Sequence, residues 1–141
     1  MTMLERAIGL ALAAHAGQTD KAGKPYILHP LRVMLALPDD EAMRCAGVLH
    51  DVVEDTECDL DAVKRATSHE VATLVACLTR KSGTTYRDYI GNFQHYARAR
   101  LVKIADVSDN LSRVEQLKDA EEQKFFKRRY TRALDRLRAM G

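Results

Sequence analysis

The segment Ala46–Thr56, AGVLHDVVEDT, sets four groups capable of chemistry into an apolar run. His50, Asp51, Glu54 and Asp55 sit among Ala46, Val48, Leu49, Val52 and Val53. On one continuous helix, expected over about 41–54, His50 and Glu54 would lie one turn apart, as would Asp51 and Asp55. The helix would then carry a broad polar stripe, with its other side in the core. Buried carboxylates and an imidazole cost several kcal/mol unless they are paired or bind a metal. A lone His-Asp pair is commonly incidental, so the remaining segments decide.

Two segments echo the first. His29 follows Ile27 and Leu28 and precedes Pro30. In VKIADVSDNL, Lys103, Asp106 and Asn110 share a strip by their i, i+3 and i+7 spacing. Two imidazoles and two aspartates on three segments can form a mixed nitrogen and oxygen site. Such donors suit manganese, iron or zinc better than calcium. Four protein ligands with open positions imply five or six coordination, which favours manganese or iron over a closed tetrahedral zinc. Water in an open position has its pKa lowered toward neutrality. Glu54 and Asp55 are then placed to orient or deprotonate it, or to protonate a leaving group.

The order His29, His50-Asp51, Asp106 resembles that of the HD-domain metal phosphohydrolases. The fuller pattern AHAGQTDKAGKPYILHP, LHDVVEDT and VKIADVSDNL resembles the hydrolase domain of RelA/SpoT-type alarmone enzymes and its stand-alone small alarmone hydrolase form. The resemblance runs from Ala14 to about Leu111. It implies that His29, His50, Asp51 and Asp106 ligate one metal, usually manganese in that family. It makes Glu54 and Asp55 the catalytic acidic pair and Asn110 a nucleotide contact. Lys21 matches the second member of a basic pair flanking the guanine base. The implied reaction is hydrolysis of the 3′-pyrophosphate of ppGpp or pppGpp, giving GDP or GTP and pyrophosphate. Two positions depart from the pattern. Asp20 stands where the family usually has an arginine stacked on the base, and Arg113 where a small hydroxyl residue is common. A carboxylate cannot make the cation–π contact. An HD phosphohydrolase for another nucleotide, a nucleotide sensor without turnover, and a helical interaction domain therefore stay open as alternatives. Lys103 can either meet substrate phosphate or balance Asp106.

The elements that must hold these residues read as helices throughout. Periodic apolar positions predict a helix from Met3 to Leu12, ended by Gly17. Pro30 suits the first turn of a short helix carrying Leu31, Val33, Met34 and Leu35. Asp40, Asp59, Ser68 and Thr84 or Thr85 read as helix caps. Further helices are expected at about 97–114 and 119–140, the last burying Phe126, Tyr130, Ala133, Leu134 and Leu137. No useful β-alternation appears. The expectation is one all-α domain over residues 1–141, a compact HD-domain bundle of about seven or eight helices.

Composition bounds the partners. The chain has 141 residues and a formal charge of +2, too weak a bias to argue for nucleic acid. The last helix is basic, but its apolar face implies docking and a solvated basic side. Three unpaired cysteines, with no CxxC, speak against zinc fingers and disulfide scaffolds. Reduced thiols and the absence of an apolar run of membrane-spanning length give a cytoplasmic expectation, with a small-molecule nucleotide as partner, no membrane and no nucleic acid. The oligomeric state is not legible. His15, His69 and His95 fit no ligand spacing and read as structural or surface residues.

Overall fold

The computed structural model describes residues 1–141 and is all helical, with one isolated antiparallel bridge between Thr19 and Pro25. The helices are α1 (Met3–Ala14), α2 (Leu28–Leu35), α3 (Glu41–Leu49), α4 (Val52–Asp55), α5 (Leu60–Ala66), α6 (His69–Leu78), α7 (Tyr86–Asn92), α8 (Ala97–Ser112) and α9 (Ala120–Ala139). Short 3-10 turns precede and follow α8.

Helix starts follow local chemistry. The side chains of Asp40, Asp59, Ser68 and Thr85 accept the first free backbone N–H groups of α3, α5, α6 and α7. Thr2 and Glu5 form a capping box at α1. After α1 the chain turns through Gly17, whose φ of 82° is the left-handed conformation that a side chain disfavours.

The bundle is built around α3. Met43, Cys45, Ala46, Gly47, Val48 and Leu49 are all buried, so this helix is apolar on every side but its first turn. It packs on α1, α2, α6 and α8. Small residues set the spacing: Ala7 and Ala11 of α1 are wholly buried. A Cβ at Gly47 would lie 2.7 Å from Leu37 Cδ1 and 3.4 Å from Met34 Cα, so glycine lets α3 lie close against α2 and the turn after it. That closeness brings His29 of α2 toward the end of α3.

The central helix differs from the expectation. It stops at Leu49 and restarts as the single turn α4. Asp51 adopts φ −106° and ψ −4°, at the edge of the helical region. Splitting this helix raises the number of α-helices to nine. The break has a steric purpose, because successive helical residues point about 100° apart. At the break, adjacent His50 and Asp51 can turn toward one point.

Helix α9 closes one side, packed on α8 and α7. Ala133, Leu134 and Leu137 are buried as expected. Phe126 and Tyr130 are only half-buried, because they line a cleft. No helix is long and apolar enough to cross a membrane. The cysteines are free; Cys45 is in the core, and Cys58 and Cys77 are half-buried.

Candidate metal centre and active site

Four side chains from three segments converge where α2, the α3–α4 break and α8 meet. Donor atoms of His29, His50 and Asp51 lie within 4.8 Å of one another. Asp106 Oδ1 lies 2.9 Å from His29 Nε2 and 3.2 Å from His50 Nε2. Asp51 Oδ2 is 3.0 Å from His50 Nε2 and 3.8 Å from His29 Nε2. His29, His50 and Asp106 are buried, and Asp51 nearly so.

The tautomers follow from the outer partners. His50 Nδ1 donates to the Gly47 carbonyl at 2.6 Å, and His29 Nδ1 donates to Asp109 Oδ2 at 2.7 Å. Both Nε2 atoms therefore face the carboxylate oxygens. A neutral Nε2 lone pair beside two carboxylates is repulsive unless a cation sits among them. His50 Nε2 is buried and has no partner in hydrogen-bonding geometry, although oxygens lie close to it. At His50 Nε2 the distances are right and the directions wrong for hydrogen bonds, as a shared cation would leave them, whereas His29 Nε2 and Asp106 Oδ1 meet in hydrogen-bonding geometry at 2.9 Å. Donors of these types suit a divalent metal, and His29, His50 and Asp51 could hold one.

The buried carboxylates draw positive charge into the cluster, a proton or a metal ion alike. Burial alone would lift the Asp106 carboxyl, but Lys103 and His50 hold it well below the usual range. Burial likewise opposes a charged His50, and Asp51 and Asp106 outweigh it and raise its pKa well above normal. Lys103 Nζ donates to Asp106 Oδ2 at 2.8 Å and lies 4.8 Å from the Tyr89 ring centre. Lys103 thus balances Asp106 while its side chain also lines a small cavity with Asp51, Glu54, Arg80 and Arg129.

Glu54 lines this cavity, and Asp55 borders a neighbouring surface hollow with Glu54, Arg80 and Lys81; neither is among the four donors. The backbone N–H of Arg80 donates to Glu54 Oε1. Protein packed against them raises both pKa values, and the Asp51 charge raises them further. Carboxyls raised toward neutrality suit proton transfer. Asn110 Nδ2 donates to Asp106 Oδ1 at 3.2 Å and lines both this cavity and a neighbouring pocket of about 330 Å³.

That pocket takes in Asp20, Lys21, Tyr26, Arg113, Phe126 and Tyr130. Lys21 is paired with Glu122 at 2.5 Å, and its ammonium lies 4.0 Å over the Phe126 ring. Phe126 in turn stacks on Tyr130 at 5.6 Å. Asp20 closes its own loop by accepting the N–H groups of Ala22 and Lys24, both at 2.9 Å. Arg113 reaches to 3.8 Å from Asp109.

Several groups escaped the sequence reading. Asp109 accepts from His29 and is clamped by Arg32 at 2.8 and 3.0 Å. Its sequence signal was its place one turn beyond Asp106, and any ligating histidine needs a partner for its second nitrogen. The Tyr26 hydroxyl donates to Asp51 Oδ2 and fixes that carboxylate. His15 is buried; its Nδ1 donates to Gln18 Oε1 at 2.8 Å, and Gln18 Nε2 donates to the Asp55 carbonyl at 3.0 Å. His15 is thus structural, as expected, and braces the backbone at Asp55 through Gln18. His69 and His95 are exposed.

A helical bundle with a buried His/His-Asp/Asp cluster defines a class of metal-site domain. The chain belongs to the HD domain family, whose model matches residues 7–134. It is 36% identical over 126 residues to a probable guanosine-3′,5′-bis(diphosphate) 3′-pyrophosphohydrolase of Synechocystis, a match covering 79% of this chain and 17% of that protein. It is 33% identical over 136 residues to a GTP pyrophosphokinase of Streptomyces coelicolor, covering 88% of this chain and 16% of that one. The chain thus spans about a sixth of the length of these curated relatives. A solved structure described as "A metazoan ortholog of SpoT hydrolyzes ppGpp and plays a role in starvation responses" superposes with a TM-score of 0.87 at 25% identity, covering all of this chain and 88% of that one.

Proposed function

We propose that the protein is a metal-dependent phosphohydrolase that removes the 3′-pyrophosphate of ppGpp or pppGpp. The carrying observation is the convergence of His29, His50, Asp51 and Asp106 beside a cavity edged by Glu54 and Lys103. These four residues would hold the metal, manganese by the family resemblance. When bound, that cation supplies Lewis acidity toward a phosphoryl oxygen and lowers the pKa of water in its open position.

The chain's own groups divide the remaining work. Asn110 and Tyr130 border both the cavity and the pocket beside it, so the sugar crosses between them. The base rests in the pocket against Phe126, beside Lys21. This arrangement accounts for Asp20. Its carboxylate accepts from its own loop, and Phe126 and Tyr130 of α9 border the pocket in place of an arginine. Lys103 and Arg80 line the phosphate side. Glu54 and Asp55 take a proton from the attacking water and return one to the departing 3′ oxygen. The phosphorus–oxygen bond to the sugar breaks, and GDP or GTP leaves with pyrophosphate.

Purified protein supplied with manganese should release pyrophosphate from ppGpp, and Glu54→Gln combined with Asp55→Asn should abolish release. No release from ppGpp, with turnover of another nucleotide in a screen, would replace the substrate and keep the chemistry. Asp20 and Arg113 favour that second reading, because both alter the base pocket and neither touches the four donors.

A further inference from the structure

The arginine run of α9 is not used by the hydrolase reading. Arg128, Arg129, Arg132 and Arg136 fall at i, i+1, i+4 and i+8, on one helix face. With Arg87 of α7 they line a groove of about 580 Å³. None of the five is ion-paired with a carboxylate, whereas Arg32, Arg44, Arg98 and Arg113 each have an acidic partner. The groove also has an apolar lining that includes Tyr86, Ile90 and Phe125. Phe125 is 56% exposed. The Arg129 guanidinium lies between two rings, 4.2 Å from the centre of Tyr86 and 5.2 Å from that of Phe125. Arg136 is held toward α7 by donating to the Arg87 carbonyl at 2.9 Å, and Gly91 leaves it room, since a Cβ there would lie 3.0 Å from its Nη2.

We propose that this groove is a second nucleotide site, one that binds a nucleoside triphosphate outside the catalytic cleft. Uncompensated guanidinium groups crowded into one concavity repel each other, and planar forks of this kind match phosphate oxygens in pairs. From Arg128 to Arg136 the helix rises about 12 Å, a span suited to an extended triphosphate and its sugar. The open face of Phe125 offers a stacking surface for a base. A nucleic-acid strand spreads its phosphates along a longer path, while these charges converge on a single hollow. Arg129 and Tyr86 also line the cavity of Glu54 and Lys103, so the two sites share a wall.

The test reads binding directly and so stands apart from the hydrolase reading. ATP and GTP, which carry no 3′ phosphate, are titrated calorimetrically into the manganese-loaded protein. Both should bind saturably with one site outside the cleft, and added salt should weaken binding. The double variant Arg128→Ala/Arg132→Ala alters two exposed side chains and should lower the affinity at least about tenfold. Asn110→Ala, in the cleft, should leave it unchanged. The proposal is overturned if neither triphosphate binds saturably, if the double variant binds as well as wild type, or if Asn110→Ala removes the binding. It is overturned too if a short single-stranded RNA binds these arginines more tightly than either triphosphate. Circular dichroism of the double variant establishes that it is folded, and Arg128→Lys/Arg132→Lys should restore part of the affinity.

Discussion

Replacing Asp109 with asparagine separates a structural ion pair from a device that tunes the metal site. Asp109 accepts His29 Nδ1 at 2.7 Å and the Arg32 guanidinium at 2.8 and 3.0 Å. Its pKa is 3.8 in the unfolded chain; burial would raise it, but the His29 and Arg32 hydrogen bonds carry it down to about 2. A depression of that size corresponds to at most about 2.5 kcal/mol at neutral pH. The carboxyl is partly open to solvent, so screening reduces the figure to about 1 kcal/mol. The sign is that of a lowered acid. The stabilisation is complete above pH 3.8 and fades as pH falls toward 2.

An asparagine offers one acceptor and turns an N–H group toward donors, so it cannot serve His29 and Arg32 together. His29 then loses the partner that orients its ring and raises its basicity. Outer partners of this kind are worth about 10- to 100-fold in metal affinity. Manganese titration followed by calorimetry should show that loss in Asp109→Asn, with an unfolding free energy about 1 kcal/mol lower in urea at pH 7. The two variants' stabilities should approach each other as pH drops below 3.8. Lost stability with unchanged manganese affinity would refute the reasoning and reduce Asp109 to a clamp between α2 and α8.

Three other changes probe different links. Glu54 has a raised pKa, so its native site favours the neutral form; that stabilisation is present below 4.5 and disappears as pH rises through the folded value. Glu54→Gln should therefore lower turnover about 100-fold or more while melting no lower than wild type at pH 7; a clear drop in melting temperature would contradict this. Lys103→Met leaves Asp106 buried without its ammonium partner, and should destabilise the metal-free protein by about 3–5 kcal/mol. Manganese should recover much of that loss in thermal melts, and equal losses with and without metal would argue against Asp106 as a ligand. Gly47→Ala places a methyl group 2.7 Å from Leu37 Cδ1. It should cost about 1–3 kcal/mol by overpacking and weaken manganese binding, because α2 carries His29; unchanged metal affinity would show that the spacing of α2 and α3 does not set the site.

Much of the helical order was legible because the caps are local. Asp40, Asp59, Ser68 and Thr85 each solve a problem posed by the next three residues, and a reader of the chain meets both parts together. That His29, His50, Asp51 and Asp106 meet was legible for another reason: buried histidines and aspartates in apolar surroundings need a common partner. Asp109 and Tyr26 were not, because their value lies in residues 80 and 25 positions away. Nothing in the local spacing of either marks it as different from a solvated aspartate or a core tyrosine.

The interruption at His50–Asp51 carries the deeper lesson. The apolar period reads as one helix through VLHDVVED. A straight helix, however, would aim His50 and Asp51 about 100° apart and leave one of them facing apolar neighbours. The fold gives up helical continuity at His50 and Asp51 instead, and the Gly47 carbonyl, with no i+4 helical partner there, accepts from His50 Nδ1. The break thereby supplies the hydrogen bond that presents His50 Nε2 to Asp51 and Asp106. The break turns two adjacent polar side chains toward one cluster, a tertiary arrangement that helical periodicity does not encode.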